Sequence, residues 1–252
     1  MEKRASLRRL GVKIKMVGTG ASTPSLARGA PCSLVCTAWG TILIDVGPSA
    51  VGRLLELGYG VNDIDAVVLT HFHPDHTVDL TTLLFICEHG EEKREKPLLL
   101  LGGKGISSFF RKLSLAYPWI VPTRYRLSVR IAPARGLRLG PVSLLAAPMS
   151  HREESIAIRI EEGGKKVVFS GDTAYCPGLV GLAKGVDLLV AECTFVEAEK
   201  EGHLTMAGLL RVVREAKPKR VIMYHLSPEW ERFHGAIPSP LLLGEDGMGL
   251  DL

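Results

Sequence analysis

The run Thr70-His71-Phe72-His73-Pro74-Asp75-His76 restricts what this chain can fold into more than any other feature, because it continues the apolar stretch Asp65-Ala-Val-Val-Leu-Thr70 without a break. Such a stretch reads as a strand buried on both faces, so the histidines belong at the C-terminal end of an interior strand. Alternate residues of an extended chain share a side, which puts His71 with His73, and Pro74 turns the chain so that Asp75 and His76 emerge beside them. Imidazole and carboxylate donors suit Zn²⁺ and its neighbours, and three or four of them around an open position favour catalysis over structure. A structural zinc site would more commonly use closely spaced thiolates. The five cysteines, Cys32, Cys36, Cys87, Cys176 and Cys193, include no C-x-x-C pair. They read as reduced thiols, mostly small core residues.

The rest of the pattern extends the sheet. Strands are expected at Val12–Val17 and Thr41–Asp45, a helix at Ser49–Leu57, another over 79–88, a solvated loop at Glu91–Lys96, a strand at Pro97–Leu101 and a helix to about Leu115. Strands near 125–131, 142–147, 156–160 and 166–170 form an antiparallel-looking middle, the last two joined at Gly163-Gly164 as a hairpin. From Pro177 the order becomes helix, strand Asp187–Glu192, helix Thr205–Ala216, strand Arg220–Tyr224. This is an α/β (α+β) chain whose strands and helices arrange as a four-layer αββα sandwich, with strand-end groups meeting on one edge. The 252 residues, 46% of them hydrophobic, suit one domain over 1–252, with a Pro- and Gly-rich tail from about residue 227 whose structure stays open. No run of eighteen apolar residues argues for a membrane span, and Met1–Leu10 has neither the apolar core nor the cleavage site of an export signal, so a cytoplasmic protein is expected. The formal charge of +4 accommodates an anionic substrate without demanding nucleic acid.

The H-x-H-x-D-H run resembles the signature of the metallo-β-lactamase superfamily. Ser150-His151, Ser170-Gly171-Asp172-Thr173 and Met223-Tyr224-His225-Leu226 are similar to that family's remaining ligand motifs, in the family's order and each after an apolar strand. The resemblance covers the chain from about Val12 to His225 and implies the metallo-β-lactamase fold with two divalent metal ions, zinc first and manganese or iron as alternatives. It assigns His71, His73 and His151 to one metal and Asp75, His76 and His225 to the other. Asp172 would bridge them, with a hydroxide shared from the other side as the attacking group of a hydrolysis. Asp45, in Ile44-Asp45-Val46-Gly47, resembles the family's buried aspartate that orients ligands.

Gly18-Thr-Gly-Ala-Ser-Thr-Pro24, Ala191-Glu192-Cys-Thr-Phe195 and Gly202-His203-Leu-Thr205 are similar to the ribonuclease Z branch and its small phosphodiesterase relatives. The opening glycines miss the third glycine of a dinucleotide fingerprint, and Pro24 opposes the helix such a site needs. The similarity implies that His203 donates a proton to the leaving oxygen and that Glu192 orients it, with Asp75 counted as the third catalytic residue; the plainer alternative has His203 merely preceding the helix from Thr205. Ribonuclease Z enzymes carry a long tRNA-gripping arm between the positions of His151 and Asp172, whereas here only the twenty residues 152–171 lie between them, enough for a hairpin. Gly102-Gly103-Lys104 reads as a strand-ending turn rather than an anion site. Arg124, Arg126, Arg130 and Arg135 with Tyr125 read as a solvent face rather than a nucleic-acid strip. The expectation is therefore a dinuclear phosphodiesterase for a small or cyclic phosphodiester. Transfer RNA 3′ processing, with RNA as partner, is the runner-up; a lactone or thioester hydrolase and a non-catalytic metal-binding protein are the further alternatives. Relatives often dimerise, so a homodimer is carried as an expectation.

Overall fold

The computed structural model describes residues 11–198 and 200–252; the polar start at Met1–Leu10 lies outside the described residues. The first sheet contains β1 (Lys13–Gly18), β2 (Cys32–Cys36), β3 (Thr41–Ile44), β4 (Ile64–Leu69), β5 (Leu98–Gly102) and β6 (Leu127–Ile131), in chain order. The second contains β7 (Leu137–Leu139), β8 (Val142–Pro148), β9 (Ile156–Glu162), β10 (Lys165–Phe169), β11 (Leu188–Glu192) and β12 (Val221–Tyr224), also in chain order. The segment after residue 227 forms a 3₁₀ turn at Pro228–Arg232 and then gives one edge strand to each sheet. β13 (Leu241–Leu243) pairs with β12 in parallel, and β14 (Gly249–Asp251) pairs with β1 antiparallel.

Layering follows from which side chains alternate inward. Ile42, Ile44, Ala66 and Val68 from the first sheet meet Ile158, Ile160, Val167 and Val190 from the second in a central core. The opposite faces of the same strands, Leu43, Val67 and Leu69, pack under α1 (Ala50–Glu56), α3 (Leu80–His89) and α4 (Ile106–Ala116). Val168, Leu189 and Ala191 do the same under α5 (Pro177–Leu182) and α6 (Met206–Ala216). Strands buried on both faces cannot show alternation, which is why β3, β4 and β11 read as unbroken apolar runs. The αββα expectation holds. The middle stretch needs one correction: β6 pairs parallel with β5 and closes the first sheet, and the antiparallel run begins only at β7.

The loop at Glu91–Lys96 is a second correction. Its other residues face outward or are half-buried, but Arg94 is 1% exposed. Its guanidinium donates to the carbonyls of Val61, Ile64, Lys96 and Pro97 at 2.7–3.2 Å and lies 5.5 Å from the Tyr125 ring centre. The apolar stem of arginine allows such burial when every donor finds a carbonyl. Tyr125 is itself buried under this group, so it offers no stacking surface beside Arg124 and Arg126.

Asp246 anchors the terminal segment. Its carboxylate accepts from the Thr19 amide (2.8 Å) and hydroxyl (2.7 Å) and the Gly29 amide (2.6 Å), and it pairs with Arg53 at 2.6 Å. Thr19 in turn leads into the bridge between Gly20 and Leu226, next to His225. Asp246→Ala leaves these donors without their acceptor and is expected to cost about 2–4 kcal/mol, read from the midpoint of a urea unfolding curve.

Candidate active site

Five strand ends build one cleft of about 430 Å³, lined among others by His73, Asp75, His151, Asp172, His203 and His225. His71 and His73 follow β4. Asp75 and His76 lie in α2 (Pro74–Thr77), which Pro74 opens at a position where a missing amide hydrogen costs nothing. His151 follows β8, Asp172 follows β10, Glu192 ends β11 and His225 follows β12. The chain turns sharply at His225 and at Asp45, which follows β3: both hold left-handed backbone, with φ of 55° and 59°. Such conformations cost of order 1–3 kcal/mol each and persist where the surroundings fix them.

A carboxylate and a threonine orient the rings in each half of the molecule. Asp45 accepts from the Thr70 amide (2.7 Å) and hydroxyl (2.8 Å) and lies 2.8 Å from His76 Nδ1, while Thr70 Oγ1 is 3.2 Å from His71 Nδ1. Glu192 accepts from the Thr194 hydroxyl (2.7 Å), and Thr194 Oγ1 is 2.8 Å from His225 Nδ1. His151 Nδ1 faces the Gly202 carbonyl at 3.0 Å. With Nδ1–H donated outward in each case, the Nε2 lone pairs of His71, His151 and His225 point into the cleft, the tautomer a ligand needs, and His76 would present the same lone pair once a cation replaced the proton that Asp172 favours there. The motifs containing Thr70 and Thr194 assigned these two residues no role: the first is one of many strand-end threonines, and the second meets its histidine only through the parallel register of β11 with β12.

The inward-facing atoms are spaced as donors around a cation. His73 Nδ1 and His151 Nε2 are 3.2 Å apart, His225 Nε2 lies 3.4 Å from Asp75 Oδ2 and 3.3 Å from Asp172 Oδ2, and His71 Nε2 lies 3.6 Å from Asp172 Oδ2. Donors about 2.0–2.1 Å from a tetrahedral zinc sit roughly 3.3–3.4 Å from one another. His71 Nε2, His76 Nε2 and Asp172 Oδ1 are buried with no hydrogen-bond partner, a costly arrangement that a cation would relieve. The last two lie 3.3 Å apart but are misaligned for a bond to each other. Three groups of donors fall within 4.8 Å: His71, His73, His151 and Asp172; Asp75, His76 and His225; and Asp172, His203 and His225. His203 Nδ1 is already held by Glu192 Oε1 at 3.1 Å, which separates it from the open donors of the first two groups.

Electrostatics agree with that arrangement. Burial pushes His71 far toward its neutral form, and the charge of His76 adds to the effect. Burial also opposes charge on His76, but Asp172 and Asp45 outweigh it and raise its pKa well above the usual value. Burial would raise the Asp172 carboxyl, yet His225 and His76 hold it well below the ordinary range. The centre is built to receive positive charge.

Glu192 does more than orient one ring. It also accepts from the amides of Thr173 (2.7 Å) and Leu204 (3.1 Å), so the carboxylate that holds His203 is fixed by the backbone on both sides. The helix that follows is capped by Thr205, whose hydroxyl accepts from the Gly208 amide at 3.2 Å; His203 takes no part in that cap. Gly103 has a packing role, since a Cβ there would meet the Glu154 carbonyl oxygen at 1.7 Å, and Lys104 pairs with Glu153.

A family model for the beta-lactamase superfamily domain matches residues 40–226. A ribonuclease Z of Mycolicibacterium gilvum (strain PYR-GCK) is 30% identical over 201 residues, 71% of this chain and 68% of the relative. Among solved structures, the metallo-beta-lactamase fold protein YhfI from Bacillus subtilis superimposes with a TM-score of 0.80 at 22% identity, covering 96% of this chain and 100% of that one. A diphosphatase from the PhnP family gives a TM-score of 0.72 at 20% identity, covering 96% and 98%. The chain belongs to the beta-lactamase superfamily and has the metallo-β-lactamase fold. It is a hydrolytic enzyme of that family, whose fold houses dinuclear metal centres. Among the described residues, no helix is long and apolar enough to cross a membrane.

Proposed function

We propose that this chain is a dinuclear metal-dependent phosphodiesterase acting on a small or cyclic phosphodiester. His71, His73 and His151 would hold one cation and Asp75, His76 and His225 the other, with Asp172 between them. The nitrogen and oxygen donors suit zinc, with manganese or iron as substitutes. When bound, two such cations supply a water ionised at neutral pH and stabilise charge on phosphoryl oxygens.

The observation that carries the reading is His203. Its Nδ1 is 3.1 Å from Glu192 Oε1 and 3.9 Å from Asp172 Oδ2, at the wall of the cleft. Burial would lower its pKa, but the hydrogen bond and charge of Glu192, with Asp172, raise it, a shift that favours the protonated ring, the form able to donate from Nε2. An alkoxide leaving group needs that proton, whereas the thiolate of a thioester leaves without it. A small substrate is favoured because residues 152–171 are taken up by β9, β10 and their Gly163-Gly164 turn, with no room for a gripping arm. The ribonuclease Z relative keeps RNA cleavage as the second reading.

The test is hydrolysis of bis(p-nitrophenyl) phosphate by zinc- or manganese-loaded protein beside a metal-stripped control. On a cyclic nucleotide, whose leaving group is an alkoxide, His203→Ala is expected to lower kcat about 10²–10⁴-fold while metal content stays at two ions; the p-nitrophenyl diester, whose phenolate leaves unprotonated, should lose much less. Turnover of lactones or thioesters in place of the diester would overturn the reading. Cleavage of precursor tRNA in preference to small diesters would move it to the second.

A further inference from the structure

The four strands that end the two sheets are unequal. β7, β13 and β14 have three residues each, which blunts them as templates for another chain, whereas β6 has five. The Arg126 carbonyl accepts from the Leu98 amide and the Ala132 amide donates to the Gly102 carbonyl, both toward β5. By the alternation of a strand, the amides and carbonyls of Leu127, Val129 and Ile131 therefore point away from β5. Among the described residues no strand pairs with that side.

The same alternation sorts the side chains. Leu127 and Val129 pack toward the helices, and the exposed Ile131 continues their row. Arg126, Ser128 and Arg130 share the face of Leu99 and Leu101, which looks toward the second sheet; that sheet ends at β7 and leaves both arginines exposed. With Trp39, Lys96 and Leu139 they border a groove of about 360 Å³. The groove shares no residue with the catalytic cleft. Arg124 pairs with Glu88 and Lys96 with Asp65, but among the described residues neither Arg126 nor Arg130 has a carboxylate partner. Such a row repels a second copy of itself, because pairing β6 antiparallel about Ser128 would set arginine against arginine. It leaves the edge open to a strand of the opposite charge.

We propose that β6 is a docking edge for an extended segment of another protein in which acidic side chains alternate with apolar ones. The segment bonds to the outward amides and carbonyls of Leu127, Val129 and Ile131, sets its carboxylates beside Arg126 and Arg130, and lays its apolar side chains along the row that ends at Ile131. Main-chain bonds give the attachment, and the two arginines choose the sequence. Because the groove stands apart from the cleft, a docked partner leaves the catalytic residues uncovered.

Fluorescence anisotropy of a short labelled peptide alternating glutamate with valine, beside its counterpart alternating lysine with valine, tests the edge. The parent should bind the glutamate peptide about tenfold more tightly, the scale of exchanging two opposite-charge cross-strand pairs for two like-charge ones. Arg126→Glu together with Arg130→Glu should invert that preference. A glutamate peptide N-methylated at alternate amides keeps its charge but loses the donors of one strand edge, and should not bind. Binding of neither peptide, equal binding of both, a preference that survives in the doubly substituted protein, or an N-methylated peptide that binds as well as its parent would overturn the proposal. So would slow hydrogen exchange at the Leu127, Val129 and Ile131 amides of the protein alone, the sign that another strand already holds the edge. These results are independent of diester turnover.

Discussion

Asp172→Ala is expected to lower bis(p-nitrophenyl) phosphate hydrolysis on the order of 10³-fold and to reduce the metal content from two ions per chain to one or none. The expectation follows from position. Asp172 is 2% exposed, and its two oxygens lie within 3.3–4.0 Å of nitrogens from His71, His76, His151 and His225, which come from both sheets. Among the described residues no other carboxylate touches both donor groups; Asp75 reaches His76 and His225. Metal analysis after dialysis, read beside the thermal unfolding of the metal-free proteins, distinguishes loss of the centre from loss of the fold. Two retained ions with near-parental turnover would remove Asp172 from the bridge.

Arg94→Ala should be the most destabilising change away from the cleft, at about 3–5 kcal/mol, because it strands the carbonyls of Val61, Ile64, Lys96 and Pro97 together and leaves a void under Tyr125. For a chain of this size that corresponds to a thermal midpoint lowered by roughly 6–20 °C. Arg94→Lys should recover only part, since an ammonium offers three donors and no planar fork. A melting curve unchanged in the alanine variant would show that water satisfies those carbonyls as well as the guanidinium does.

What could be read from the sequence follows what local pattern encodes. Both sheets, the hairpin at Gly163-Gly164 and the approach of His71, His73, Asp75 and His76 come from hydrophobic runs and turn residues, which are local. Arg94 was hidden because a charged run ordinarily marks solvent, and only the fold shows four carbonyls converging on it. The strands β7, β13 and β14 are three residues each, too short for any periodicity, and exist because neighbouring edges supply partners. β2 is buried on every residue and lies between loops, so its Cys32-Ser-Leu-Val-Cys36 run gave no alternation to read. In the site, the histidines and Asp172 stand out by residue type and spacing, but the linkage from Glu192 through Thr194 to His225 depends on two strands meeting in register and has no linear trace.

The placement of β13 and β14 governs the order in which this molecule can be completed during synthesis. β1 is made long before β14, yet its outer partner is Gly249–Asp251, so Lys13 must wait for Asp251. A chain folded without residues 241–251 presents two bare strand edges, one at β1 and one at β12. Edges of that kind recruit strands from neighbouring chains, and contacts of such long sequence separation form slowly. The same short segment that finishes both sheets therefore covers the two edges at which one copy could pair with another.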